Sequence, residues 1–417
     1  MIRQKEKASI GRPATAASRS ARPWPGILAF AAAALLSGCV GLYQAQPKPT
    51  RTSFSSPVAI LPAETFGNLL VVQAKWDRYG PYRFLVDTGS SVTLVTPELA
   101  ARYRDKDAPA APLTQPQVQV ESGSGGAVIL PTTVLSRLDL GSAHFLRVPA
   151  VVYDCAPLTA QLGLRIDGIL GFPLFRQTLL TLDYPNSRVL LRPSSSLASL
   201  RPVGCAIPFS DADNLPLISV QLGTRRFLAL VDSGSDTALS LNPVGLSPKF
   251  GFGPAQGPTV GTLTGSRTRQ VGRLSESLQI GDYSVEQPVA ELNDELSAIG
   301  GGILRSFTVT FDQRHGEVTF NRIAGDPVRV AGLTGTGLSF RKTPAYWRVV
   351  GVVPRSPADA AGVETGDLVT RIDGEPVSHW GFHRYEQLNA TAGEVVLTFL
   401  NGTVETDRRI AIVRLVP

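Results

Sequence analysis

Apolar positions along this chain come in short bursts. Phe84-Leu-Val86, Val92-Thr-Leu94-Val95, Phe227-Leu-Ala-Leu-Val231 and Leu278-Gln-Ile280 are each a few residues long, rich in branched side chains and bounded by Gly or Pro. Runs of that length and punctuation predict strands joined by turns rather than long helices, hence a mainly β protein. One run differs. Ile27-Leu-Ala-Phe-Ala-Ala-Ala-Ala-Leu-Leu36 is continuous and follows a basic leader. It is too short for a permanent membrane span and suits the core of a secretory signal.

The strand pattern is written twice. Phe84-Leu-Val-Asp87-Thr-Gly-Ser90 returns as Leu230-Val-Asp232-Ser-Gly-Ser235, and each copy is followed by an apolar alternation. Leu138-Asp-Leu140-Gly141 is echoed by Leu278-Gln-Ile280-Gly281, and Ile169-Leu170-Gly171 through Arg176 by Ala298-Ile299-Gly300 through Arg305. Thr181-Leu-Asp183 and Thr310-Phe-Asp312 close the copies. Four landmarks in the same order point to duplication. The chain therefore divides into a leader (1–38), a Pro/Ser/Thr-rich tether (39–57), a first β half (58–195), a second (203–325) and a C-terminal module (333–417).

An apolar strand running into Asp-Thr-Gly or Asp-Ser-Gly leaves a carboxylate at the end of a buried rod, with glycine allowing the turn. One such group is costly to bury; two brought together can share a proton, because adjacent like charges do not both ionise cheaply. The ionised member takes a proton from water while the neutral one donates to a carbonyl. Residues 58–322 resemble aspartic peptidases of the pepsin and retropepsin type, on Asp87-Thr88-Gly89-Ser90, Asp232-Ser233-Gly234-Ser235 and the paired hydrophobic-hydrophobic-Gly segments. The resemblance implies two pseudo-twofold related β lobes in one chain, with Asp87 and Asp232 catalytic. It implies also that Thr88 and Ser233 interlock beneath them, and that the Ile169–Gly171 and Ala298–Gly300 segments thread alongside. Ser90 and Ser235 are expected to donate to the carboxylates and so favour an acidic optimum. Val118–Val128 and Thr259–Ser266, both Gly-rich, are candidate flaps, neither carrying the tyrosine of pepsin-like enzymes. Because one chain supplies both acids, a monomer cleaving extended polypeptides is expected.

The C-terminal module reads differently. Ser356-Pro-Ala-Asp-Ala-Ala-Gly362, Gly366-Asp-Leu368 and Ile372-Asp-Gly374 resemble the signature of PDZ domains in bacterial envelope proteases. The resemblance implies a small α+β domain that captures protein C-termini, with Gly337-Leu338-Ser339-Phe340 as its carboxylate loop; Ser339 stands where a glycine is usual.

Charge and cysteine usage sharpen the picture. Of the net charge of +6, the leader holds six basic residues against Glu6, leaving the body close to neutral, which excludes the footprint of a nucleic-acid binder. Leu36-Ser37-Gly38-Cys39 resembles a bacterial lipobox, implying acylation of Cys39 and a lipid anchor facing the periplasm of the cell envelope. Cys155 and Cys205 remain, leaving both a disulfide and two separate thiols open. His379 and His383, four apart, could share a helix face, but no third ligand accompanies them, so no metal site is read. No phosphate loop, nucleophile elbow or dinucleotide fingerprint occurs, and no cofactor is indicated.

Overall fold

The computed structural model describes residues 41–42, 49, 51–75, 77–107, 117–122, 126–194, 203–210, 214–262, 265–323, 325 and 327–417. The leader and Cys39 lie outside these. The fold is mainly β.

Both copies of the duplicated pattern are wired alike. Strand Tyr82–Asp87 pairs antiparallel with Leu69–Ala74 and parallel with Gly168–Gly171, which puts Gly171 beside Asp87. Strand Arg225–Val231 pairs antiparallel with Leu217–Leu222 and parallel with Ala298–Ile299. In each copy the returning segment also pairs antiparallel with the short strand after the aspartate turn, Leu94–Val95 or Leu239–Leu241. Such a crossover requires a strand buried on both sides, and the sequence provides it: Phe84, Leu85 and Val86 are fully buried, as are Ala229, Leu230 and Val231. Burying each large apolar side chain contributes about 1.5–3 kcal/mol, which offsets the cost of carrying a carboxyl at the strand's end.

The copies meet in a six-stranded antiparallel ribbon whose order reads alike from either end. Ala59–Phe66 pairs with Arg188–Pro193, then come Thr178–Asp183 and Thr308–Asp312 at the centre, and Glu317–Asn321 and Cys205–Ser210 complete it. At the middle Thr181 faces Thr310, and their buried hydroxyls hydrogen-bond at 2.9 Å. One core runs through both copies, with Phe172 making edge contacts to Phe209 and Phe311. Two long hairpins project from this body: Gln117–Ser122 with Gly126–Leu140, and Phe250–Thr262 with Gly265–Leu274. They carry the described residues of both candidate flaps; 123–125 and 263–264, at the flap tips, lie outside the described residues.

The C-terminal module keeps its own core around Trp347, Val369, Trp380 and Tyr385. Ser356 caps the helix Pro357–Ala360 by accepting from the Asp359 amide. Strand Leu338–Lys342 and helix Phe382–Thr391 contribute to the same apolar core, Phe340 packing edge-on against Tyr385.

Two expectations change here and one open alternative is settled. The tether is not wholly free: Arg51–Phe54 forms an edge strand on Ala143–Leu146, and Gly41–Leu42 pairs with Val120 and Glu121. Alternation at Thr52 and Phe54 suffices to add an edge strand despite the flanking prolines. Cys155 and Cys205 are both free thiols. Cys155 is buried beside Tyr153 in the first copy, whereas Cys205 opens a ribbon strand of the second, its Sγ accepting from the Asp282 amide. Third, His379 ends a 3₁₀ turn and His383 sits in the next helix, so the two share no helix face; His379 lies against Glu375 instead.

Candidate active site

The two Asp-Thr/Ser-Gly turns come together and are locked crosswise. The Thr88 amide donates to Ser233 Oγ at 3.0 Å, and the Ser233 amide donates to Thr88 Oγ1 at 3.0 Å. In return Thr88 Oγ1 donates to the Val231 carbonyl (2.6 Å) and Ser233 Oγ to the Val86 carbonyl (2.8 Å). Each hydroxyl thus accepts once and donates once across the junction. All four residues are buried, so every bond also satisfies a group that would otherwise be left unpaired.

Above this lock lie Asp87 and Asp232, exposed by only 3% and 4%. The Gly89 amide donates to Asp87 Oδ1 (2.8 Å) and the Gly234 amide to Asp232 Oδ1 (2.9 Å). The reason for glycine is the opposite acid. A Cβ on Gly89 would stand 2.3 Å from Asp232 Oδ1, and one on Gly234 would stand 2.3 Å from Asp87 Oδ1. Neither glycine adopts a left-handed backbone; close approach alone demands it.

The carboxyls face each other across the paired turns, each pressed against the other turn's glycine, and each perturbs the other's ionisation. Burial first, and the charge of Asp232 second, drive the Asp87 carboxyl well above the ordinary value of 3.8. Burial also raises Asp232, to about 6, against the pull of the Gly234 amide, the Asp87 hydrogen bond and further amides from Ser235 and Gly89. Both carboxyls are held above their ordinary value, so the pair keeps one proton into a range where two separate carboxyls would both be ionised.

The serine hydroxyls do not act as expected. Ser90 Oγ donates to the Val92 carbonyl (2.8 Å), and Ser235 Oγ hydrogen-bonds Thr237 Oγ1 (2.8 Å). It is their backbone amides that lower the carboxyl values, and burial outweighs them. Only the hydroxyls' role is corrected: they make no bond to the carboxylates, and the amides of the same residues do the lowering instead.

Behind the turns run the paired glycine segments. A Cβ on Gly171 would strike the Val92 carbonyl oxygen at 2.0 Å, and one on Gly300 the Thr237 carbonyl oxygen at 2.3 Å. Gly301 and Gly302 are equally constrained, against Asn68 (2.5 Å) and Ala238 (2.8 Å), and they open the short helix Gly301–Leu304.

Sequence reasoning missed a supporting pair. The Asn68 amide donates to Asp236 Oδ1 (2.6 Å) and its side chain to the Asp236 carbonyl (2.8 Å), while Arg305 Nη1 donates to Asn68 Oδ1 (3.3 Å). Arg176 Nη2 donates likewise to Asn214 Oδ1 (2.7 Å). The signal was present: Arg176 and Arg305 end the two matching segments.

In the C-terminal module Gly337 takes a left-handed backbone (φ +91°) and packs on the Ser356 side chain. Leu338 and Phe340 pack against the module's core, Phe340 beside Trp347, and Ser339 Oγ accepts from the Thr259 amide. Among the described residues no cluster of three or more His, Cys, Asp or Glu could hold a metal ion.

Residues 72–174, which include the Asp87 turn, match the aspartyl protease family model, and residues 348–400 match that of the PDZ domain. The chain carries an aspartyl protease domain and a C-terminal PDZ domain. The family match ends before the second aspartate, so the claim of Asp232 to the protease site rests on the lock and the carboxyl contact. No curated protein matches the chain. Among solved structures, a PDZ domain protein from Parabacteroides distasonis is similar at 21% identity over 20% of this chain and 20% of that one, with a TM-score of 0.18. The chain thus spans a fifth of that protein's length, and nothing below rests on the likeness.

Proposed function

We propose that the protein is an aspartic endopeptidase of the cell envelope, its two β copies serving as lobes that each supply one acid. The observation that carries this reading is the convergence of Asp87 and Asp232, each against the other turn's glycine, above the crosswise Thr88–Ser233 lock. In the singly protonated pair Asp232 acts as the ionised member and Asp87 as the protonated one. Asp232 removes a proton from a water as its oxygen bonds the scissile carbon, and Asp87 donates to the carbonyl oxygen. The tetrahedral diol then returns a hydroxyl proton to Asp87. Asp232 passes its proton to the leaving amine as the C–N bond breaks, which restores the starting charges. The two hairpins hold an extended polypeptide over the acids. Acylation at Cys39 anchors the monomer to the membrane facing the periplasm, and the PDZ domain is available to peptide C-termini.

The test is hydrolysis of a peptide library by the full chain across about pH 4 to 9. The expected kcat/KM profile is a bell that rises as the pair loses its first proton and falls as it loses its second. Absence of cleavage at every pH, or a rate that rises steadily with pH and shows no falling limb, would overturn the proposal.

A further inference from the structure

The hairpin Phe250–Thr262/Gly265–Leu274 belongs to the second protease copy, yet it rests on the PDZ domain. The Thr259 amide donates to Ser339 Oγ at 3.0 Å. Ser339 faces Gly351 across the domain's first strand pair, and a Cβ on Gly351 would stand 2.2 Å from Thr259 Oγ1. Glycine there lets the hairpin sit down on the sheet; a serine at the position where PDZ loops usually have glycine supplies the hydroxyl that holds it. At the hairpin's base Arg273 donates to the carbonyls of Pro417, Gln287 and Val330, tying it to the last residue of the chain and to the interdomain linker. Beneath the hairpin a cavity of about 290 Å³ is walled by Asp236, Pro258 and Thr259 on one side and Ser339, Tyr385 and Glu386 on the other. Asp236 belongs to the same turn as Asp232. The PDZ domain therefore closes one end of the space between an acid turn and its hairpin.

We propose that Ser339 is a positioning residue for peptide hydrolysis. The PDZ domain is the seat of the second copy's hairpin, and the Ser339–Thr259 bond sets how its strands lie beside the segment that carries Asp232 and Asp236. This rests on the aspartic-peptidase reading above, and it makes the PDZ domain part of the hydrolytic unit instead of an appended ligand module.

The full chain is compared with Ser339→Ala, Ser339→Thr and Gly351→Ala by steady-state kinetics on a long peptide and by amide hydrogen exchange at Thr259. Ser339→Ala is expected to lower kcat/KM about fivefold, the equivalent of one neutral hydrogen bond near 1 kcal/mol, with kcat and KM both affected as for a lid. Its urea transition keeps the wild-type slope with the midpoint lowered by no more than one such bond, Thr259 exchange accelerates, and Ser339→Thr restores the kinetics and the exchange. Gly351→Ala displaces Thr259 and reproduces the kinetic loss with the hydroxyl intact. Wild-type kinetics in Ser339→Ala, or equal Thr259 exchange in both proteins, overturns the proposal. A wild type that cleaves nothing overturns the peptidase reading and the positioning role with it, while the exchange arm still reports separately whether the hairpin is latched.

Discussion

Replacing Asp232 by Asn removes a buried ionisable group and nearly preserves its shape. The carboxyl's rise from 3.8 to about 6 makes the ionised form about 3 kcal/mol costlier in the folded protein than in the unfolded chain. A raised folded value means that the group's contribution is fully retained below about pH 4. It is lost as pH rises towards 6, because over that interval the unfolded chain has released a proton that the folded one still holds. Asp232→Asn lacks this loss. The assay is urea unfolding of wild type and variant followed by circular dichroism at about pH 4 and pH 8, reading the stability difference at each. Groups away from the pair cancel, and Asp87, relieved of the Asp232 charge that helps raise it, shifts the balance in the same direction, so the variant should gain at least about 2–3 kcal/mol relative to wild type between the two pH values. A difference that stays constant with pH, or grows in favour of wild type, would refute the reasoning that burial dominates this carboxyl.

Three further outcomes follow from the same geometry. Thr88→Val strands the Ser233 amide and the Val231 carbonyl in a dry interior, and denaturant titration should show a loss of about 2–5 kcal/mol at about 1–3 kcal/mol per stranded group. A loss under 1 kcal/mol would mean that the lock is not the structural keystone. Gly89→Ala drives a methyl into the Asp232 carboxylate, so peptide hydrolysis should fall at least tenfold with the fold retained by circular dichroism; unchanged turnover would contradict the close approach. Cys155, buried and with its thiol pushed up to about 12, should resist alkylation at pH 8 in the native protein and react once unfolded without any reductant. A requirement for reductant would mean that a disulfide forms.

What the sequence made legible was what it states locally and twice. Asp87, Asp232, Thr88 and Ser233 lie in two strings that each end a buried strand, so duplication alone was enough to place them face to face. The fate of the Ser90 and Ser235 hydroxyls was hidden, because a hydroxyl beside a carboxylate in sequence can rotate to a carbonyl or hydroxyl two residues on, and both do. The run Gly300-Gly-Gly302 reads as soft backbone until Asn68 and Ala238 are seen pressing on it from far along the chain. Asp236 and Asn68, 168 residues apart, carry no shared motif, and only packing joins them. The edge strand Arg51–Phe54 was masked by a Pro/Ser/Thr-rich composition that outweighed a short alternation. The Ser339 departure from the PDZ pattern was visible, but its partner in another domain was not.

The central claim is that one proton shared between Asp87 and Asp232 performs the hydrolysis. Turnover of a single peptide by the full chain, by Asp87→Asn and by Asp232→Asn, all at about pH 7, tests it most directly. Each substitution should cost roughly 10²–10⁴-fold in kcat while leaving the protein folded. A variant of either position that cleaves as fast as wild type would contradict the account.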